Sequence, residues 1–167
     1  VMHGRSRACK FAGAVRFAAV AEATRDLSIP VLANGDIGDL QSATSALQRS
    51  GGDGVMIGRG AIGQPWIFQV LAGGNAPTLA QRLNIMGEHL DHMHRFYGLQ
   101  QGMRIARKHI QAYLQRLNAA ALIPDFMRLD TAFAQVTWLS ALTEATILDQ
   151  QRRIEAKPTL AVNSHSC

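Results

Sequence analysis

The architecture of this chain is set by two short stretches, IPVLANGD at residues 29–36 and GVMIGRG at residues 54–60. Each is an apolar run that ends in a glycine-containing polar turn, which is the pattern of a buried strand and the loop after it. Between them lies a helical stretch that begins with Asp39 as its amino-terminal cap and continues to about Arg49. A further helix follows the second run and ends near Leu71. Because parallel strands are joined by helical crossovers, this alternation predicts a parallel α/β sheet.

An earlier strand and helix precede these stretches. The chain opens on Val1-Met2-His3, which has the composition of a strand end, and a helix is predicted over residues 15–27. The strands are apolar throughout rather than alternating, so we expect both of their faces to be buried. In a barrel or an open α/β sheet, functional residues lie at the carboxyl ends of the strands. Three polar clusters are expected to share that rim: His3-Gly4-Arg5, Asn34-Gly35-Asp36 and Gly58-Arg59-Gly60.

The cluster Gly58-Arg59-Gly60 has the features of a phosphate-binding loop. Its glycines expose backbone N–H groups, the helix predicted after it has a positive end, and Arg59 adds a guanidinium group. An ordinary strand-to-helix turn is the alternative for so short a motif. The cluster Asn34-Gly35-Asp36 at the preceding strand end favours phosphate binding, since barrel phosphate sites use the loops after the last two strands.

Positive charge also surrounds the first strand end, on His3, Arg5 and Arg7. These side chains are suited to contacting phosphates or to polarising a substrate carbonyl group, and a solvated basic loop is the alternative. Cys9 lies nearby in the sequence, but no local residue is an obvious base for it. We interpret Cys9 as an ordinary small residue.

From Ala76 the pattern changes to helices alone, and Gly73-Gly74-Asn75 marks the boundary. Two amphipathic helices carry apolar stripes at steps of three and four residues, namely Leu79, Leu83, Met86, Leu90, Met93 and Tyr97, and then Met103, Ala106, Ile110, Tyr113 and Leu117. A third helix is predicted to start with Asp130 as its cap and to bury Phe133, Val136, Leu139 and Leu142. Together these helices are expected to form a small bundle.

The second of these helices has a basic face opposite its apolar stripe. Arg104, Arg107 and Lys108 have no acidic partner one turn away, whereas a solvated face more often alternates charge signs. This pattern favours contact with nucleic-acid phosphates, and an ordinary solvated surface is the alternative.

The composition is that of a globular protein with a basic excess. The chain has 167 residues, 47% of them hydrophobic, and a formal net charge of +5, which permits a nucleic-acid partner. No apolar run reaches the roughly 18 to 20 residues that span a bilayer, and no signal peptide is recognisable, so we expect a cytoplasmic protein with no membrane partner. Its two cysteines, Cys9 and Cys167, do not suggest a disulfide framework.

One group of side chains at first resembles a metal site: Glu88, His89, Asp91, His92 and His94. On a helix, however, His94 points away from the others, and Asp91 can pair with Arg95 one turn later. We interpret the group as the polar face of a helix and predict no metal.

Taken together, these motifs resemble one family. HGRSR at residues 3–7 followed by Gly13, the stretch from Ile29 to Ile37, and DGVMIGRGA at residues 53–61 with Pro65-Trp66 are similar to the later barrel strands of bacterial tRNA-dihydrouridine synthases, closest to the B subfamily. Arg107-Lys108-His109 with Tyr113-Leu114 is similar to the helical-domain signature of that family. The resemblance covers residues 1 to about 145.

The resemblance implies a fold, namely the C-terminal part of a TIM (β/α)8 barrel followed by a small all-α domain. Residues 1–74 would be the last strands and helices of an FMN-binding barrel, residues 75–157 a helical tRNA-binding domain, and residues 158–167 a disordered tail. The first residue is Val1 rather than Met, and the chain opens inside a strand. We therefore expect a C-terminal fragment of a longer protein.

The resemblance also implies an activity, the FMN-dependent reduction of the C5=C6 bond of uridine in tRNA to 5,6-dihydrouridine, with NADPH as reductant. It implies FMN contacts for Asn34, Gly35, Asp36, Gly58, Arg59 and His3. It implies substrate or tRNA contacts for Arg5, Arg7, Arg104, Arg107 and Lys108. The family's catalytic cysteine belongs to an upstream segment and Cys9 does not replace it, so no catalytic residue is assigned in this chain, and the isolated fragment is expected to be inactive. Cys9-Lys10-Phe11 departs from the glutamine and aromatic pair that are usual in the family.

Two alternatives remain open. Another FMN- or phosphate-binding barrel oxidoreductase, such as a dihydroorotate-dehydrogenase-like enzyme, would share the glycine-rich loop but does not account for the helical signature. A non-catalytic RNA-binding remnant would keep the helices without a working barrel.

Overall fold

The computed structural model describes residues 1–6, 8 and 12–155. The strands in this part are β1 (Met2–His3), β2 (Leu32–Asn34) and β3 (Gly54–Met56). The α-helices are α1 (Phe17–Asp26), α2 (Leu40–Ser50), α3 (Ile67–Leu71), α4 (Leu79–Tyr97), α5 (Leu99–Arg116), α6 (Ile123–Met127) and α7 (Ala132–Glu155). Among these helices none is both long enough and apolar enough to cross a membrane. The interpretations of Arg7, of Cys9-Lys10-Phe11 and of the tail at 158–167 fall outside the described residues.

The three strands form one parallel sheet in the order β1-β2-β3, which confirms the predicted parallel pairing. Met2 lies opposite Ala33, and Leu32 lies opposite Gly54. The expectation that the strands are buried on both faces is wrong for the outer two, since Met56 of β3 is 41% exposed and His3 of β1 is also exposed. Within the described part of the chain β1 and β3 are the outer strands of the sheet, and the buried core lies around β2.

The chain divides into two compact units, and the first contains the sheet. It comprises residues 1–77 and 109–120. Helices α1 and α2 pack against each other. Their buried residues form one apolar core with residues in and beside β2: Phe17, Val20, Val31, Ala33, Ile37, Ala43 and Ala46. This core leaves the carboxyl ends of the strands free to carry polar loops.

Helix α2 begins and ends as the sequence predicts. The carboxylate of Asp39 accepts a hydrogen bond from the backbone N–H of Ser42 at 2.7 Å, and the Ser42 hydroxyl accepts one from the N–H of Asp39 at 3.1 Å. This reciprocal arrangement satisfies two N–H groups that a helix start leaves without partners. Gly51, with φ of 61°, ends the helix in the left-handed conformation.

The helix predicted to run through Pro65-Trp66 to Leu71 is confirmed as α3, but it does not follow Gly60 directly. Residues Arg59–Ala61 form a short 3-10 turn, and α3 starts only at Ile67. Gly63 has φ of 75°, a left-handed conformation that interrupts a right-handed helix. The glycine cluster is therefore a loop with its own turn and does not begin a long helix.

The second unit comprises residues 78–108 together with those from 121 onward. Helix α4 packs against α7 and buries Leu83, Met86, Leu90 and Met93, as the middle of the apolar stripe predicts, whereas the ends of the stripe, Leu79 and Tyr97, are exposed. The predicted start of α7 is wrong, because its cap is Thr131, whose hydroxyl accepts from the N–H of Ala134 at 3.1 Å. Its predicted buried face is also wrong in part: Leu139 is buried, but Phe133 is 81% exposed.

A buried polar pair replaces part of the apolar contact expected on α7. Gln135 is fully buried, and its side-chain oxygen lies 3.0 Å from Nε2 of His94 on α4. Its amide nitrogen donates to the carbonyl of Met103 at 3.2 Å. His94 is 5% exposed, so both side chains depend on each other for hydrogen bonding.

We expect Gln135→Leu to lower the free energy of unfolding by about 1 to 3 kcal/mol, because it leaves the buried Nε2 of His94 without its partner and removes the hydrogen bond to the carbonyl of Met103. The double variant His94→Leu, Gln135→Leu should regain part of this stability, since it removes both polar side chains together. Urea unfolding of the full-length protein, with hydrogen exchange of α4 and α7 amides, measures both changes. Gln100→Leu, at an exposed position, is the control. Equal stability of Gln135→Leu and the parent would contradict this role.

Candidate functional site

A cavity of about 460 Å³ lies at the carboxyl ends of the three strands. The structure brings together here all six residues for which the resemblance implies FMN contacts: His3, Asn34, Gly35, Asp36, Gly58 and Arg59. Ile37, Gly38, Met56, Gly60 and Arg116 complete the lining. The cavity therefore collects residues from three separate strand ends.

The carboxylate of Asp36 joins two arginines at this rim. Arg5 donates to both carboxylate oxygens of Asp36, with Nη1 at 2.9 Å from Oδ1, and its Nε donates to the carbonyl of Gly13 at 2.8 Å. Nη2 of Arg59 donates to Oδ1 of Asp36 at 3.2 Å. The Arg5 side chain is only 6% exposed, whereas that of Arg59 is 58% exposed. Arg5 is thus built into the site, and Arg59 remains accessible at its surface.

These contacts keep Asp36 ionised. The hydrogen bonds from Arg5 lower the pKa of Asp36 below its ordinary value, and the positive charges of Arg5, Arg59 and His3 act in the same direction against the opposing effect of burial. Asp36 also has φ of 50°, a conformation that few non-glycine residues adopt. Its carboxylate is held in one place by the two guanidinium groups.

The loops on either side of the cavity are tied together through their backbones. Nε2 of Gln64 donates to the carbonyl of Gly38 at 2.8 Å and to that of Gly60 at 2.7 Å. Gly60 comes so close to the second loop that a Cβ atom there would overlap the carbonyl oxygen of Ile37. The role of Gln64 was not predicted from the sequence, because a single glutamine between two predicted elements forms no recognisable pattern until the two loops are seen side by side.

The strand ends are joined in a similar way. The side-chain amide of Asn34 donates to the carbonyl of Met56 at 2.8 Å, which links the end of β2 to the end of β3. Nδ1 of His3 accepts a hydrogen bond from the backbone N–H of Arg5 at 3.0 Å, which orients the imidazole ring at the end of β1. The polar groups of the rim are thus fixed before any ligand binds.

The residues present fit a phosphate group. Gly58 lines the cavity, and a Cβ atom there would meet no protein atom within 4 Å, so the absence of a side chain leaves open space at the loop. The exposed guanidinium of Arg59 borders the same space. A planar guanidinium beside exposed loop backbone is suited to binding an anion.

The three basic residues of α5 are placed differently from one another in the second unit. Arg104 and Lys108 are exposed. Arg107 is partly buried, and its Nη2 donates to the carbonyl of Leu129 at 2.9 Å. Nε of Arg107 is buried without a hydrogen-bond partner among the described residues. Arg107 therefore helps to hold its own unit together, while the other two side chains face solvent.

The acidic and histidine side chains of α4 do not converge. His94 is buried against Gln135, and Asp91 pairs with Arg95, as predicted from their spacing. Within residues 1–6, 8 and 12–155, no group of three or more His, Cys, Asp or Glu side chains is placed to hold a metal ion.

Comparison with known proteins assigns this arrangement to a family. A family model described as dihydrouridine synthase matches residues 1–148, which include the sheet, the cavity loops and most of the helical region. The chain belongs to the dihydrouridine synthase family. This assignment confirms the family that the motifs at the three strand ends predicted.

Several relatives of this dihydrouridine synthase chain are named tRNA-dihydrouridine synthase B, which confirms the predicted B subfamily. The protein from Pasteurella multocida is 32% identical over 161 residues, covering 92% of this chain and 48% of the relative. That from Shewanella oneidensis is 40% identical over 141 residues, covering 80% and 44%. That from Escherichia coli K12 is 42% identical over 121 residues, covering 68% and 38%. In each case the match spans less than half the length of the relative.

We expect Asp36→Asn in this chain to lower the free energy of unfolding by about 1 to 2 kcal/mol. This value is in the lower part of the range for charged hydrogen bonds because Asp36 is half exposed. Asparagine keeps the shape and tolerates the backbone conformation but removes the charge that Arg5 and Arg59 share. Denaturant unfolding of the full-length parent and variant at several pH values measures the difference.

The sign of its pH dependence is fixed by the lowered pKa of Asp36. The parent has the full contribution above a pH of about 4, the ordinary carboxyl value, and loses it as pH falls through the lowered pKa, so the two proteins should converge in acid. Asp91→Asn, which breaks the exposed pair with Arg95, is the control and should cost less than about 0.5 kcal/mol. A difference that grows toward acid would be incompatible with an ionised Asp36.

Proposed function

We propose that this chain forms the flavin-phosphate and tRNA-binding portion of an enzyme that reduces uridine in tRNA to 5,6-dihydrouridine. The observation that carries the proposal is the cavity at the strand ends, where Asn34, Asp36 and Arg59 meet in a chain of the dihydrouridine synthase family. The relatives bear the name of the same reaction, and that name is the basis for proposing the substrate.

The fold proposed for the complete protein is a TIM barrel with a helical domain. Residues 1–74 would supply its last strands and helices, since their parallel sheet carries its polar loops at one rim, as barrel enzymes do. Residues 75–157 would be the helical tRNA-binding domain, and residues 158–167 its tail. The family match includes α5 as well as the glycine loop, which favours this proposal over another phosphate-binding barrel.

FMN is the proposed cofactor. Asn34, Gly35 and Asp36 would hold it from one loop, Gly58 and Arg59 would bind its phosphate, and His3 would lie beside the flavin. The open space at Gly58 and the exposed guanidinium of Arg59 support this assignment. Arg5 would act through Asp36, because its own guanidinium is buried against that carboxylate.

The reaction adds a hydride to C6 and a proton to C5 of the uracil ring. Bound flavin reduced by NADPH would supply the hydride, and a cysteine from a segment outside this sequence would supply the proton. The uridine must leave its base stack to reach such a site. Arg7 is proposed on the substrate side, where Arg5 would act indirectly through Asp36, and Arg104, Arg107 and Lys108 are proposed on the tRNA side. Among these, exposure favours Arg104 and Lys108 for direct contact with phosphates, and Arg107 for holding the helix that bears them.

We expect Arg59→Ala in the full-length protein to weaken FMN binding about tenfold or more, because it removes a charge-assisted hydrogen bond to the phosphate. Asn34→Ala should weaken it as well, since it removes the amide that links the ends of β2 and β3. Fluorescence quenching of FMN measures both. Arg25→Ala removes an equal charge from the exposed end of α1 and is the control. If the Arg59 variant binds FMN as tightly as the parent does, the assignment of the phosphate to this loop is wrong.

We expect Arg104→Ala, Lys108→Ala in the full-length protein to weaken tRNA binding and to reduce the slope of log affinity against log salt by about 0.7 to 0.9 for each phosphate that the variant no longer binds. FMN content should not change. The matched control is Arg25→Ala, Arg152→Ala, which removes two exposed arginines elsewhere. If both double variants bind tRNA equally well at every salt concentration, this face is a solvated surface.

A further inference from the structure

Arg116 is a cavity residue that no motif pointed to. It is the last residue of α5 and lines the same cavity as Gly58 and Arg59. Its Nη2 lies 3.5 Å from the carbonyl oxygen of Gly60, at the edge of hydrogen-bonding distance, and its side chain is exposed. Among the described residues no carboxylate forms an ion pair with it. A second guanidinium therefore borders the glycine loop from outside the three strand ends.

The position of Arg116 is set by close packing of the end of α5 on the loop that follows the glycine cluster. Gly63, in its left-handed conformation, approaches so closely that a Cβ atom there would lie 2.5 Å from the carbonyl oxygen of Ala112. The next residue, Tyr113, is 1% exposed, and its ring centroid is 6.1 Å from that of Trp66. Burial raises the pKa of Tyr113 to about 12, so it packs as a neutral side chain. Arg116 is thus held beside the loop by its own helix.

The positive charge at the rim is suited to balancing a dianion. Arg5 and Arg59 share the single carboxylate of Asp36, so the rim that Arg116 completes keeps an excess of positive charge. The pKa of Asp39 is lowered mainly by the hydroxyl and N–H of Ser42, which bind its carboxylate as the cap of α2, and in part by the charge of Arg116. A phosphate monoester has a charge of about −1.5 to −2 at neutral pH, which two arginines match.

We propose that Arg116 is a second phosphate-binding arginine, which contacts the terminal phosphate of the flavin together with Arg59 and makes the site selective for FMN over riboflavin. The inference rests on the proposed flavin function and extends it to a residue of α5. It assigns a ligand contact to a residue that lies outside the strand-end motifs.

The experiment compares two ligands that differ only in the phosphate. FMN and riboflavin are titrated into the full-length apoprotein of the parent and of Arg116→Ala, with fluorescence quenching as the readout. Arg116→Ala should weaken FMN binding about tenfold and leave riboflavin binding unchanged, since the change removes only a hydrogen bond to the phosphate. Arg116→Lys should recover part of the FMN affinity, because it restores the charge without the planar fork. Arg25→Ala, a charge-matched change at the end of α1, should bind both ligands as the parent does.

Each other outcome overturns the proposal in a recognisable way. Equal weakening for FMN and riboflavin would mean that Arg116 supports the folding of the loop and does not contact the phosphate. Parent-like FMN affinity of Arg116→Ala would exclude the contact while leaving the proposed function intact. A parent protein that binds neither ligand would overturn both this proposal and the proposed function.

Discussion

The ion pair between Arg5 and Asp36 is the interaction on which the rim of the sheet depends. A guanidinium that is 6% exposed is costly to bury without a counter-charge, and Asp36 supplies that charge with matched geometry. The pair joins the loop after β1 to the loop after β2. Through the remaining hydrogen bond from Arg59, the same carboxylate reaches the loop after β3. One carboxylate thus links the loops that follow all three strands.

The backbone ties around this pair make the site rigid in a way that suits phosphate binding. Gln64 bridges two carbonyl groups, and the close approach of Gly60 to Ile37 allows no side chain between the loops. A ligand that enters a site already ordered loses less free energy to the fixing of loops and side chains. The groups at the rim that remain accessible are the backbone of Gly58 and the exposed guanidinium of Arg59, which also donates to Asp36.

Local patterns predicted those features that depend on neighbouring residues in the chain. Asp39 as a cap, the parallel strands and the stripe of Leu83, Met86 and Leu90 each follow from short-range spacing, and the structure has all of them. The predicted buried face of α7 is wrong in part. Side-chain polarity alone favours burial of Phe133 and exposure of Gln135, but the partner on α4 sets which residue is buried, and the outcome is the reverse. Gln135 forms a hydrogen bond with a buried histidine on another helix, and the spacing of residues within α7 does not indicate that partner.

The same limit applies to the candidate site. The strand-end motifs predicted which residues gather at the rim, because parallel strands bring their carboxyl ends together. Gln64 and Arg116 were not predictable. Gln64 bonds to the carbonyl of Gly38, which is distant in sequence, and Arg116 meets the glycine loop only through the packing of α5. The left-handed conformation of Asp36 has a further consequence for the range of amino acids that this position can accept. Glycine and asparagine satisfy the backbone but carry no charge, and glutamate carries the charge on a longer side chain that adopts this conformation less readily. Aspartate combines both properties, so we expect a substitution at this position to lose either the charge or the backbone preference.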